Sequence, residues 1–200
     1  MFLPFSVNAQ SWEVTANSLR QLGKVRRGEH LDPWLLAPKV GLTVLESHPD
    51  LLKDLNTRDQ NQLLGSGRDG WSGGVYPVPL PDGTRLCILN GAHNKRRKKI
   101  TLMEEIVHVH LKHSPTRIVS GAPGVSFRDY DKSQEEQAFG VGAAALLPWP
   151  ELFSLINSGQ TFTCIADKYD VSSQLVNYRI NVTGARKLYC ARQGRPKARR

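Results

Sequence analysis

The sequence is poor in cysteine and has no long apolar run. Its 200 residues include three cysteines, an odd number without a CxxC spacing. This pattern excludes a disulfide framework and a cysteine-ligated metal, and it favours a reducing compartment. No stretch reaches the roughly 18 apolar residues of a membrane span. The first residues, MFLPFSVNAQSW, lack the basic start of a signal peptide, so we expect a cytoplasmic protein.

Two segments contain no acidic residue, and much of the positive charge of the chain lies in them. Residues 95–99 carry five positive charges and residues 186–200 carry seven, so the formal net charge of +9 leaves −3 for the rest of the chain. Such segments bind phosphate backbones weakly and without sequence preference, or are simply solvated surface. We expect residues 186–200 to form a disordered tail in which the candidate nucleic-acid contacts are Arg195, Lys197, Arg199 and Arg200.

Hydrophobic spacing and turn residues predict an α+β fold in one domain over residues 1–185. A Pro-Asp-Gly turn at 81–83 joins two strands into a hairpin. A basic loop over 91–99 then leads to a helix, and a loop rich in Gly, Ser and Pro follows it. The predicted strands are 40–45, 71–76 and 85–90, the main helices are 9–24, 100–113 and 133–147, and a helical pair occupies 161–185.

The helix predicted over 100–113 carries the chemical signal. In zincin peptidases the motif HExxH puts two metal-binding histidines on one helix face, beside a glutamate that acts as general base. Here the five residues are Glu104-Glu105-Ile106-Val107-His108. Glu105 takes the position of the base, His108 that of the second ligand, and Glu104 stands where the first histidine would be. A plain amphipathic helix with a polar face also accounts for this pattern.

Four segments resemble the ImmA/IrrE metallopeptidase family, whose members clear repressors by proteolysis. The resemblance covers roughly residues 10–185. It implies a small zincin-like domain with a short sheet, an active-site helix and a C-terminal helical pair. The segments are Trp71-Ser72-Gly73, Ile88-Leu89-Asn90, the helix from Thr101 to His108, and Glu135-Glu136-Gln137-Ala138 with its continuation to Pro148.

The same resemblance implies which residues bind the metal. A glutamate just before the alanine of the later helix is the third ligand in that family, and this position is Gln137, with Glu136 one residue earlier. Gln137 offers only a neutral amide oxygen. A site of His108, Glu104 and Glu136 would combine one imidazole with two carboxylates and would suit Mn or Fe at least as well as Zn.

The C-terminal pair raises an alternative function. Its predicted turn at 170–172, with Ser172 as the cap of the second helix, is similar to a helix-turn-helix, and the basic tail follows directly. We therefore expect either a metal-dependent endopeptidase acting on a repressor-like regulatory protein, with Glu105 as base, or a non-catalytic relative that binds a partner protein or DNA. We expect the buried face of the second helix to include Leu175, Val176 and Ile180.

Overall fold

The computed structural model describes residues 3–54, 56–64, 70–114, 117–120, 126–129 and 131–193. Within these ranges the chain is an α+β fold, as predicted. The helices are α1 (Val7–Leu22), α2 (Pro33–Leu36), α3 (Thr57–Leu64), α4 (Lys95–His110), α5 (Lys132–Leu146), α6 (Trp149–Asn157), α7 (Phe162–Tyr169), α8 (Ser173–Val182) and α9 (Arg186–Gln193). The strands are β1 (Leu42–Glu46), β2 (Gly73–Pro79), β3 (Arg85–Leu89), β4 (Arg117–Ser120) and β5 (Ser126–Asp129).

A three-stranded sheet lies against the site helix. Its strand order is β1-β3-β2, with β1 parallel to β3 and β2 antiparallel to β3. The predicted hairpin is confirmed, and Gly83 takes the left-handed conformation in its turn, with φ 81°. Strand β2 stands at the edge of this sheet and packs against α4. β4 and β5 form a separate antiparallel pair, and β4 lies in the segment that was predicted as a loop.

The prediction of a basic loop at 95–99 was wrong, because these residues are the first turn and a half of α4. Asn94 caps the helix, and its side-chain oxygen accepts a hydrogen bond from the backbone N–H of Arg97. Lysine and arginine are good helix formers, and the capped start satisfies an N–H that would otherwise have no partner. The helix therefore begins before its apolar pattern does.

Helices α1, α4 and α5 pack closely because small residues line the middle of α5. A Cβ added at Gly140 would lie 2.6 Å from the Trp12 ring of α1. On the other side, a Cβ at Gly142 would lie 3.3 Å from the Cβ of Met103 on α4. The α5 backbone thus approaches both neighbours, and this approach brings the polar N-terminal half of α5 to α4.

A buried ion pair joins the first helix, α1, to the C-terminal helix α8. Glu13 of α1 pairs with Arg179 of α8, and Glu13 also accepts the backbone N–H of Trp149 at 3.0 Å. Arg179 donates to the carbonyl oxygen of Leu147 at 3.0 Å. Arg179 is fully buried, so it belongs to the core and is not available to a nucleic acid.

The C-terminal pair packs as predicted. Ser172 caps α8 by accepting the N–H of Leu175, and Leu175, Val176 and Ile180 are buried. The expected disorder after residue 185 was wrong for 186–193, which form α9, where Tyr189 stacks on Phe162 at 4.5 Å between ring centroids. Residues 194–200, which include the four candidate nucleic-acid contacts, lie outside the described residues.

A helix that crosses a membrane needs a long, predominantly apolar sequence. No single one of the described helices is long and apolar enough to cross a membrane. Only α5 and α6 taken together reach that composition, and the pair is bent by 59°.

Candidate active site

Two helices bring the polar residues of the site together. α4 supplies Glu104, Glu105 and His108, and the first half of α5 faces them. The residue of α5 that meets His108 is Glu135, whose Oε2 lies 3.4 Å from His108 Nε2. Both side chains are partly exposed, at 21% for His108 and 35% for Glu135, so the pair opens to solvent.

The two residues proposed from sequence on α5 take other positions. Glu136 is exposed and its charge acts on Tyr178 of α8, so it lies toward the C-terminal pair. Gln137 is also exposed, and its Oε1 lies 3.1 Å from His113 Nε2. Successive residues of a helix differ by about 100° in direction, so only one of three neighbours can point at His108. The structure brings Glu135 to that place.

His113 is a site residue that the sequence argument passed over. It follows the end of α4, and its Nδ1 lies 3.0 Å from His108 Nδ1. The two rings meet edge to face, with centroids 4.9 Å apart and an interplanar angle of 78°. The spacing of five between the two histidines was a signal for this contact, because a chain that turns back just after a helix can return a side chain to the last turn.

The carboxyl groups of the site have raised pKa values. Burial, followed by the charges of Glu105 and Glu135, raises the pKa of Glu104 to about 8. Burial and the charge of Glu135 raise the pKa of Glu105 to about 7. Three carboxyl groups therefore share one partly buried region, where neighbouring carboxylates disfavour the ionisation of Glu104 and Glu105. A cation at this place would relieve that repulsion.

Glu105 is oriented by the edge strand. Its carboxylate accepts a hydrogen bond from the backbone N–H of Val75 in β2, which acts against the rise in its pKa. Glu105 also lies near the buried thiol of Cys87, whose pKa is raised to about 12 by burial and by this carboxylate. Because that pKa keeps Cys87 protonated, the thiol is not a nucleophile at neutral pH.

The donors at the site have the chemistry of metal ligands, but they converge only as a pair. Among the described residues, no three His, Cys, Asp or Glu side chains form a group that could hold a metal ion. The His108–Glu135 pair has a separation of 3.4 Å between Nε2 and Oε2. This equals the roughly 3.3–3.4 Å between two ligands of one tetrahedral metal at about 2.0–2.1 Å, and it is also the distance of a direct contact between a histidine and a carboxylate.

The basic run at the start of α4 is engaged by the C-terminal pair. Arg96 donates to Asp167 at 2.9 Å and to Asp170 at 3.3 Å. Lys99 is buried and donates to the carbonyl oxygens of residues 169 and 170 at 3.1 and 3.2 Å. Lys95 lies 3.6 Å from Asp170. These contacts hold the turn between α7 and α8 against α4. The basic run therefore has a structural role, and acidic side chains neutralise much of its charge.

The fold is consistent with a small zincin-like domain: it has an edge strand, a site helix that carries Glu105 and a second helix that supplies a carboxylate. The sequence profile of the IrrE N-terminal-like domain, a peptidase family, matches residues 54–181. This match covers more than half of the chain and all of the site elements described above. The protein therefore belongs to this family. No curated protein matches the chain.

Proposed function

We propose that the protein is a cytoplasmic, metal-dependent endopeptidase that cuts a repressor-like regulatory protein. The observation that carries this proposal is the His108–Glu135 pair, which has the separation of two metal ligands and lies beside Glu105. Family membership supports a metallopeptidase-like function. The repressor-like substrate follows from the resemblance to the ImmA/IrrE family.

His108 and Glu135 would supply two ligands to the metal, and among the described residues no third His, Cys, Asp or Glu converges with them. A divalent metal would supply Lewis acidity there, lowering the pKa of a coordinated water and polarising the peptide carbonyl. One imidazole and one carboxylate make a harder donor set than a His-rich site, so Mn and Fe suit it at least as well as Zn. Burial, followed by the charges of Glu105 and Glu135, raises the pKa of nearby Glu104 to about 8, and a cation at the site would lower it.

Glu105 would act as the general base. Its pKa of about 7 lies near physiological pH, where a carboxylate can both take and return a proton. The hydrogen bond from Val75 holds the carboxylate against β2. Among the described strands none pairs with the outer edge of β2, so an extended peptide can lie along it and bring its scissile bond to Glu105.

Metal analysis and a cleavage assay test the proposal together. We expect the purified protein to take up a divalent ion after incubation with Zn or Mn, and both His108→Ala and Glu135→Ala to lose it. His110→Ala is the matched control, because His110 is exposed on the same helix. Glu105→Gln should keep the metal and lose cleavage of a co-expressed regulator. A protein that takes up no metal, or equal cleavage by wild type and Glu105→Gln, contradicts the proposal.

A second candidate is a non-catalytic relative that binds a partner protein at the same site. The observation in its favour is Glu104, which stands where the first histidine of HExxH would be and whose high pKa keeps it mostly neutral. The metal assay separates the two candidates. Readout of DNA by α8 is less well supported, since its Leu175, Val176, Arg179 and Ile180 are buried.

A further inference from the structure

The register between β2 and β3 fixes which backbone groups of β2 point to its outer edge. Just before the strand, the carbonyl oxygen of Ser72 accepts the N–H of Asn90 at 2.9 Å. Successive residues of an antiparallel pair alternate between bonding to the partner strand and pointing away from it. The backbone groups of Gly73 and Val75 therefore point away from β3, and the N–H of Val75 is bonded to Glu105 of α4.

Two prolines and Glu105 limit the length of strand that can be added to this edge. Pro77 and Pro79 have no N–H to donate, and the pairing of β2 with β3 is irregular between Val75 and Pro79. The N–H of Val75 is already bonded to Glu105. In the regular part of β2, the groups left by the described residues are the N–H and the carbonyl oxygen of Gly73 and the carbonyl oxygen of Val75. These suit an extended segment that pairs over only about three residues.

These backbone groups lie beside the candidate active site because Gly73 allows β2 to approach α4 closely. A Cβ added at Gly73 would lie 2.8 Å from Cγ2 of Thr101 and 3.0 Å from Cδ2 of Leu89. Thr101 lies one helical turn before Glu105 on α4. A side chain at position 73 would therefore push the edge strand away from the helix that carries the base position.

The opposite face of the sheet has an open space at Gly74. Because Gly73 faces α4, Gly74 faces away from it. Apart from its neighbours in the chain, no described atom lies within 4 Å of a Cβ built at Gly74. Gly74 pairs with Ile88, and Ile88 pairs on its other side with Leu45, which is 39% exposed. Tyr76, two residues further along β2, is 55% exposed. The space is thus bordered by apolar side chains and opens toward the edge of β2.

The free edge and the open space lie side by side and fit one kind of ligand. A residue added opposite Gly74 would have its side chain on the same face, with the two Cβ positions about 4.5–5.5 Å apart. We propose that β2 binds a short extended peptide segment whose residue opposite Gly74 places a large apolar side chain in this space, against Ile88. Gly74 then determines specificity, because it leaves the space empty. That the segment belongs to a substrate rests on the proposed function, whereas the binding itself does not.

Random linear peptides displayed on phage and selected on the metal-free protein are the probe. We expect the selected peptides to share one large apolar residue. Changing that residue to alanine in a selected peptide should weaken the Kd about 10-fold or more, because the burial of its side chain is lost. Gly74→Val fills the space with its own side chain and should weaken binding of the same peptide to a similar extent. Gly70→Val is the matched control, because Gly70 also has open space around it but lies before β2.

Combining the two changes identifies the contact. If the apolar residue lies over Gly74, its change to alanine should have little further effect on binding to Gly74→Val. N-methylation along the peptide should abolish binding only at the residues whose N–H groups reach the carbonyl oxygens of Gly73 and Val75. Two independent losses, losses spread along the whole peptide, or a selection that yields no peptide would overturn the proposal.

The same peptides separate this inference from the proposed function. Peptides that bind with the expected pattern but are not cut by the metal-loaded protein support the binding edge and count against the peptidase. Cleavage of library peptides that shows no preference for an apolar residue and no effect of Gly74→Val supports the peptidase and overturns the inference. Because a Cβ at Gly74 meets no described atom beyond its chain neighbours, Gly74→Val is expected to fold, and its Tm checks this.

Discussion

Replacing Glu104 by glutamine should stabilise the metal-free protein at alkaline pH. The ordinary pKa of a glutamate is 4.5, and that of Glu104 in the folded protein is about 8. Between these values the unfolded chain loses a proton that the folded protein keeps, so the free energy of unfolding falls as the pH rises. Glutamine is nearly isosteric with glutamate and stays neutral in both states. The substitution therefore removes this decrease in the free energy of unfolding.

The size of the effect follows from the pKa gap. One pKa unit corresponds to about 1.4 kcal/mol, so the full gap would amount to roughly 4–5 kcal/mol above pH 8. Water reaches the site, since Glu104 is only partly buried by its accessible surface. Screening by this water reduces the expected gain to about 2 kcal/mol. Well below pH 4.5, Glu104 is protonated in both the folded and the unfolded chain, so the gain in stability should vanish.

Urea unfolding from acid to alkaline pH, with a chelator present, measures the difference. The stability curves of wild type and Glu104→Gln should meet near pH 4 and separate up to about pH 8. Glu136→Gln is the control, because Glu136 is exposed on the facing helix. A difference that does not change with pH, or a Glu104→Gln protein that is less stable at alkaline pH, would refute the reasoning. Added Mn²⁺ should reverse the order, because it favours an ionised Glu104.

Three further outcomes are expected. Arg179→Met leaves Glu13 buried without its cation and should cost about 3–5 kcal/mol of unfolding free energy in a urea titration; an unchanged midpoint would contradict the buried pair. Gly140→Ala drives a methyl group into the Trp12 ring and should lower stability by about 1–3 kcal/mol, measured as a drop in Tm. Deleting residues 194–200 removes four positive charges and should abolish most of any weak, salt-dependent nucleic-acid binding in a gel-shift assay; binding that persists without the tail would locate it elsewhere.

Local patterns predicted the elements of the site well. The hairpin turn, the Ser172 cap and the helix with Glu104, Glu105 and His108 all depend on contacts within a few residues, and all three were confirmed. The predicted start of α4 was too late in the sequence, because basic residues interrupt the apolar pattern without ending the helix. The helical course of residues 186–193 was missed for a similar reason, since α9 contains no buried residue and its stabilising ring contact comes from α7.

The partners of the site residues depended on how the helices pack. The sequence supplied three adjacent polar residues on α5, and only the rotation of α5 against α4 selected Glu135 for His108. The same packing turned Gln137 to His113 and left Glu136 toward α8.

By itself, the sequence determined the family, the fold class and the helix that carries the base position, because motif spacing and helical periodicity are properties of neighbours along the chain. Only the tertiary structure decided which carboxylate meets His108, and that the basic run holds the turn between α7 and α8. Those contacts join residues that are far apart in the sequence. Arg96 and Asp167, for example, are 71 residues apart. Their geometry is set by packing of buried surfaces, such as Gly140 on Trp12, that no local pattern encodes.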